Sequence, residues 1–125
     1  MKHLLDVNIL LAAIWDSHIH HRLVFDWLKG KDIVLCPLAQ LGFIRVSTQP
    51  KGYNLVMADA RQGLSKFRVD RKATLIADDM DALDSHPKTA GQVPDHYLAD
   101  LAAKHGLKLA TLDKSIKHPS VELVC

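Results

Sequence analysis

Apolar positions along this chain fall into two kinds of block. Short apolar runs stop abruptly at turn-forming residues, and longer stretches repeat apolar positions every three or four residues, so strands and helices are expected to take turns. Leu4-Leu5 leads into Asp6 and Val7 to Trp15 then stays apolar, which predicts a short buried strand whose carboxyl end carries Asp6 and opens a helix. Leu23, Val24, Trp27 and Leu28 lie at helical spacing, giving a second helix from about Ile19 to Lys29, with Asp16-Ser17 as the turn before it and Gly30 as its stop.

Ile33-Val34-Leu35-Cys36 reads as a second buried strand, and Pro37 at the first position of the next helix makes a sharp switch. That helix runs through Leu38, Leu41, Phe43 and Ile44 until Gln49-Pro50-Lys51-Gly52 breaks the pattern. Val56 to Val69 is helical with Ala60, Leu64 and Phe67 inward, and Ala73 to Ala77 is a third strand. A polar connection from Asp78 to Gln92 contains Pro87 and Gly91. From Asp95 a helix puts Leu98, Leu101, Ala102 and His105 on one face and ends at Gly106; Leu107 to Thr111 is the fourth strand, and Val121 to Val124 a final edge strand.

Alternation of this kind predicts an α/β protein, a three-layer α/β/α sandwich around a mostly parallel sheet, with ligands at the carboxyl ends of the strands. Asp6 and Asp113 both fall at such ends. No internal repeat or linker divides the chain, and 125 residues bury roughly two-thirds of the unfolded surface, so residues 1–125 are expected to form one domain.

Composition narrows the class. Hydrophobic residues at 48% and charged residues at 24% describe a globular chain that needs no staple. Sixteen Lys and Arg against fourteen Asp and Glu leave a formal charge of +2, so local patches rather than a global field must attract any polyanion. Cys36 and Cys125 each follow an apolar run and read as small buried thiols rather than a disulfide pair. The apolar stretch Ile9 to Trp15 is too short to cross a bilayer and follows an acid rather than a basic leader, so the expectation is a cytoplasmic protein with no membrane partner.

The candidate chemistry lies in three carboxylates. Asp6 and Asp113 end strands and Asp95 opens a helix; far apart in sequence, they are brought by parallel strands to one edge of the sheet. Such a cluster repels itself unless a hard divalent cation neutralises it, and all-oxygen ligands suit Mg²⁺ or Mn²⁺ better than zinc. Phosphodiester hydrolysis uses this arrangement, because the metal acidifies water, aligns it and stabilises phosphoryl charge. Singly, each acid has a structural explanation: a helix cap for Asp6, a cap after Pro94 for Asp95, a turn former for Asp113.

Leu4-Leu5-Asp6-Val7-Asn8-Ile9-Leu10-Leu11-Ala12 resembles the opening motif of PIN-domain proteins, in which the Asp binds metal and a polar residue two positions on, here Asn8, supports it. Asp95-His96-Tyr97-Leu98-Ala99 with Leu101-Ala102, then Gly106 and Leu109-Ala110-Thr111-Leu112-Asp113, is similar to the family's second half, with Thr111 in a supporting place. Cys36 to Val46 resembles the helix that usually brings a further glutamate, and Gln40 stands in that place as a supporting residue: its amide oxygen can meet the metal or hold its water but adds no charge, so metal affinity is expected to be lower. Nearly the whole chain is covered. At this length it is most like the VapC toxins of bacterial toxin–antitoxin pairs. The resemblance implies a metal-dependent endoribonuclease acting on structured or translation-related RNA, silenced by an antitoxin protein and commonly a homodimer.

Other features weigh less. His18, His20 and His21 cluster without the spacing of a zinc site, and His96 beside Asp95 is read as structural. Asp78, Asp79, Asp81 and Asp84 read as a solvated run. Arg45, Lys51, Arg61, Lys66, Arg68, Arg71 and Lys72 form the most basic stretch, with Arg45 the preferred RNA contact. Trp15, Phe25, Trp27, Phe43 and Phe67 are expected in the core or at a dimer surface. Two other functions compete: a non-cutting RNA- or protein-binding module, because of Gln40, and a phospho-receiver domain, for which the acidic pair is misplaced.

Overall fold

A computed structural model describes residues 2–124; the buried thiol expected at Cys125 lies outside them. Strand β1 (Lys2–Leu5) enters helix α1 (Val7–Ile14), and a turn leads to α2 (His21–Trp27). Strand β2 (Asp32–Leu35), helices α3 (Pro37–Thr48) and α4 (Met57–Asp70) and strand β3 (Thr74–Leu75) follow. The long connection holds two short 3₁₀ turns, Ala82–Asp84 and Ala90–Gln92, before α5 (Val93–Lys104), β4 (Lys108–Thr111) and β5 (Val121–Leu123).

The five strands form one sheet in the order β3-β2-β1-β4-β5, and every pairing is parallel. Parallel strands need both faces covered, so the central strands are nearly all apolar: Leu4, Leu5, Leu35, Leu109 and Ala110 are fully buried. They pack with Ile9, Leu10, Val24, Leu28, Phe43, Leu98 and Leu101 in one core. Gly30 and Gly106, at φ of 75° and 69°, end α2 and α5 in the left-handed conformation that glycine adopts without strain.

Several boundaries differ from expectation. The second helix begins at His21, because His18 to His20 form a turn in which His20 N donates to His18 Nδ1, and Ile19 stands 88% exposed. Strand β3 keeps only Thr74 and Leu75, both exposed at the sheet edge. The last helix starts at Val93 rather than Asp95, with Gln92 at its cap and Pro94 in the first turn, where a missing N–H costs nothing. His105 is not on its buried face but caps its end, with Nε2 2.8 Å from Asp79 Oδ1.

The acidic run is solvent-exposed as expected, and three of its acids also hold local structure. Asp78 Oδ2 accepts from Leu38 N at the start of α3, Asp79 meets Lys104 and His105, and Asp81 caps the following 3₁₀ turn. None of these acids ends a strand, so the phospho-receiver reading has no acceptor in this run.

Candidate active site

Asp6 follows the last residue of β1, and its backbone amide still bonds to Ala110 O of β4, which fixes it at the carboxyl edge of the sheet. Only 4% of it is exposed. Its Oδ1 accepts from Val7 N at 2.7 Å, so the cap expected of Asp6 is real, while Oδ2 accepts from Thr111 Oγ1 at 2.8 Å. Thr111 ends β4 and is itself fully buried.

Asn8 ties the two strand ends together. Its amide nitrogen donates to Thr111 Oγ1 at 3.1 Å, and its carbonyl accepts from Leu112 N at 3.1 Å. Asp113 N also donates to Thr111 Oγ1, at 3.0 Å. The threonine hydroxyl therefore spends its one proton on Asp6 and receives from Asn8 and Asp113, which sets the direction of every bond in the network.

The third carboxylate arrives on α5. Asp95 lies in that helix's first turn, where the positive end of the helix dipole favours an acid, and it shares a cleft with Asp6. This cleft of about 530 Å³ is walled by Val7 of α1, by Leu38, Leu41, Gly42, Arg45 and Val46 of α3, and by Pro94 and Leu98 of α5.

Burial, then the charges of Asp95 and Asp113, push the Asp6 carboxyl up to about 6 against the bonds from Thr111 and Val7. Asp95 is also raised, chiefly by burial and then by Asp113, with His96 pulling the other way. Asp113 is lowered by the hydroxyl and amide of Ser115, the turn bond expected of an Asp in this place. Among the described residues no Lys, Arg or His pairs with any of the three.

Also among the described residues, no three His, Cys, Asp or Glu side chains are grouped closely enough to hold a metal ion by themselves. This applies to the His18, His20 and His21 turn as well as to the acids. The donor chemistry nevertheless fits a hard dication: oxygen ligands only, Asp6 and Asp95 both raised in part by the charge of Asp113, and no ion pair among the described residues to neutralise them. Magnesium keeps several waters and takes only one or two carboxylates, so an incomplete protein cage suits it.

The PIN domain profile matches residues 3–121. The chain belongs to the PIN domain family. Ribonuclease VapC38 of Mycobacterium tuberculosis is 40% identical over 121 residues, spanning 90% of this chain and 86% of that protein. Ribonuclease VapC29 of the same species is 33% identical over 125 residues, 94% of this chain and 90% of that one. In structure the PIN fold here is similar to that of VapBC2 from Rickettsia felis bound to a DNA fragment from its promoter, with a TM-score of 0.65, 18% identity, and 98% and 97% of the two chains covered. FitAcB from Neisseria gonorrhoeae gives 0.56 and 19%, with 89% and 87% covered.

The remaining sequence candidates separate. Arg45 lines the Asp6 and Asp95 cleft. Gln40 does not line it: the amide is half-buried in a neighbouring groove between α3 and α4, beside Arg61 and Arg68. On α3 the cleft-facing residues are Leu38, Leu41, Gly42, Arg45 and Val46, and residue 40 falls off that stripe. Sequence reasoning gave no role to Gly42, whose absent side chain lets α3 approach Val7 closely.

Proposed function

We propose that this PIN domain is a metal-dependent endoribonuclease, the toxin of a toxin–antitoxin pair, acting in the cytoplasm. The observation that carries the reading is a buried Asp6 that feels the charges of Asp95 and Asp113, none of the three joined in an ion pair among the described residues, in a chain 40% identical to a ribonuclease. Two further proposals go with it: a protein antitoxin as partner, in keeping with the two-component VapBC2 structure, whose segment would cover the acidic cleft, and, from the family resemblance alone, a homodimer.

Asp6, Asp95 and Asp113 would hold Mg²⁺ or Mn²⁺. When bound, such an ion acidifies water and stabilises negative charge on the phosphoryl oxygens. Thr111 orients the Asp6 carboxylate, Asn8 locks Thr111 and the Leu112 amide, and Arg45 meets an RNA phosphate entering the cleft. No side chain becomes a covalent nucleophile.

The test is incubation of partner-free protein with total host RNA and either metal, beside a chelator control and Asp113→Asn. Discrete cuts that need both the metal and Asp113 support the reading. Well-folded protein that binds RNA but never cuts it, across both metals and their concentrations, transfers the assignment to a non-cutting RNA-binding module.

A further inference from the structure

The basic stretch from Arg45 to Lys72 does not act as one patch. Lys66 pairs with Asp70 at 2.7 Å, and the Arg71 guanidinium lies 4.8 Å from the Phe25 ring. Arg61 and Arg68, seven residues apart and hence two turns along α4, share a helix face and line the α3–α4 groove together. Among the described residues neither joins an ion pair.

This groove of about 410 Å³ contains no acid. Its polar walls are Gln40, Ser65 and the two arginines, and its apolar walls include Leu41, which also walls the acidic cleft where Arg45 stands. Leu41, 65% exposed, is thus the ridge between two adjoining depressions. One holds carboxylates and a single arginine, the other arginines and neutral donors.

We propose that the α3–α4 groove is a second RNA subsite, in which Arg61 and Arg68 bind backbone phosphates flanking the one placed in the Asp6 cleft. This rests on the ribonuclease reading. A carboxylate cluster repels a polyanion, so a strand held there needs uncompensated cations on the surface it next crosses. The groove holds no acid and adjoins, across Leu41, the cleft that would take the reacting phosphate, so the occupant assigned to it is the same nucleic-acid strand. The neutral amide at residue 40 belongs to the same design, because a carboxylate there would compete with phosphate for both guanidiniums.

The test compares wild type, the double variant Arg61→Gln with Arg68→Gln, Gln40→Glu, and Lys66→Gln as a charge control outside the groove. Binding of a short labelled single-stranded RNA is measured in chelator across salt concentrations, and KM for cleavage in metal. The double variant is expected to weaken binding and raise KM about tenfold. It should also flatten the plot of log Kd against log salt by about 1.4, because two phosphates of a single strand are no longer neutralised. Gln40→Glu should weaken binding in the same direction, and Lys66→Gln should match wild type.

Wild-type affinity and slope in the double variant overturn the subsite, as does an equal loss in Lys66→Gln, which reduces the effect to bulk charge. Unchanged RNA binding with lost affinity for a protein partner assigns the groove to that partner instead and also overturns it. Wild type that neither binds nor cuts RNA sinks the ribonuclease reading itself, a result separate from any difference between variants.

Discussion

The Thr111 hydroxyl at the end of β4 donates to Asp6 Oδ2 at the end of β1, across 2.8 Å. Both groups are buried, and the threonine Oγ1 itself accepts from Asn8 and from the Asp113 amide. Thr111→Val keeps the shape and deletes the hydroxyl. Two donors then lose their acceptor and Asp6 loses its orienting bond, so we expect a cost of about 1–3 kcal/mol in urea unfolding. Cleavage should fall about 10–100-fold, as for other groups that orient a metal ligand. Thr111→Ser should recover most of both; a valine variant as active as wild type would exclude Thr111 from positioning.

The Asp6 carboxyl, raised from 3.8 to about 6, makes metal-free stability depend on pH. The folded chain binds this proton more tightly than the unfolded chain does. Its contribution is fully present below about pH 4 and is lost as pH rises through 6, a difference of about 3 kcal/mol at 1.36 kcal/mol per pH unit. Asp6→Asn cannot titrate, so the stability of wild type relative to this variant should decline from pH 4 to pH 7.5 in chelator. Added Mg²⁺ at pH 7.5 should restore wild type and leave the variant unmoved. Parallel pH profiles for the two proteins would contradict this account of Asp6.

Asp113→Asn separates charge from fold. The residue is only half-buried, and an amide oxygen can still accept from Ser115 N and Oγ as the carboxylate does. Unfolding free energy should change by about 0.5 kcal/mol or less, while RNA cleavage disappears. Asp95→Asn should behave alike. Retained cutting by either variant would remove that residue from the metal set.

Strand-end acids were legible because a short apolar run followed by Asp needs no knowledge of the partners, and Asp6, Thr111 and Asp113 meet through β1–β4 pairing. Helix faces were less legible. Which stripe of α3 looks into the cleft depends on α1, α4 and α5 together, so Gln40 could not be placed from its spacing to Arg45 alone. The role of Asp78 was hidden for a related reason: it satisfies the start of α3 from forty positions along the chain, a bond that no local pattern announces. Strand β3 shrank because edge residues Thr74 and Leu75 pair on one side only, where propensity has little packing to support it.

Gly42 should set the width of the cleft. A Cβ there would come within 2.5 Å of Val7 Cγ2, so Gly42→Ala must either turn Val7 out of its rotamer or push α3 from α1 and shift Leu38, Leu41 and Arg45 with it. Overpacking of this kind costs about 1–3 kcal/mol. Val7→Ala in the same chain makes room, and the pair should be more stable and more active than Gly42→Ala alone. Additive losses in a double-mutant cycle would show that the two residues do not press on each other.

Ser120, His118 and Asp100 line up in a way that superficially offers a hydrolytic serine: His118 Nε2 is 2.7 Å from Asp100 Oδ1, and Nδ1 is 2.9 Å from Ser120 Oγ. Their bonds argue for a staple instead. Ser120 N donates to His118 Nδ1, which makes that nitrogen an acceptor and leaves the ring proton on Nε2 facing Asp100. The serine hydroxyl is buried and lies 2.7 Å from Ala99 O, to which it donates, so the segment before β5 is pinned to α5. Ser120→Ala should therefore cost about 1–2 kcal/mol in unfolding with cleavage of RNA unchanged, and a fluorophosphonate probe should leave wild type unlabelled. Covalent labelling at Ser120 would instead reveal a second, esterase-like centre on the same sheet.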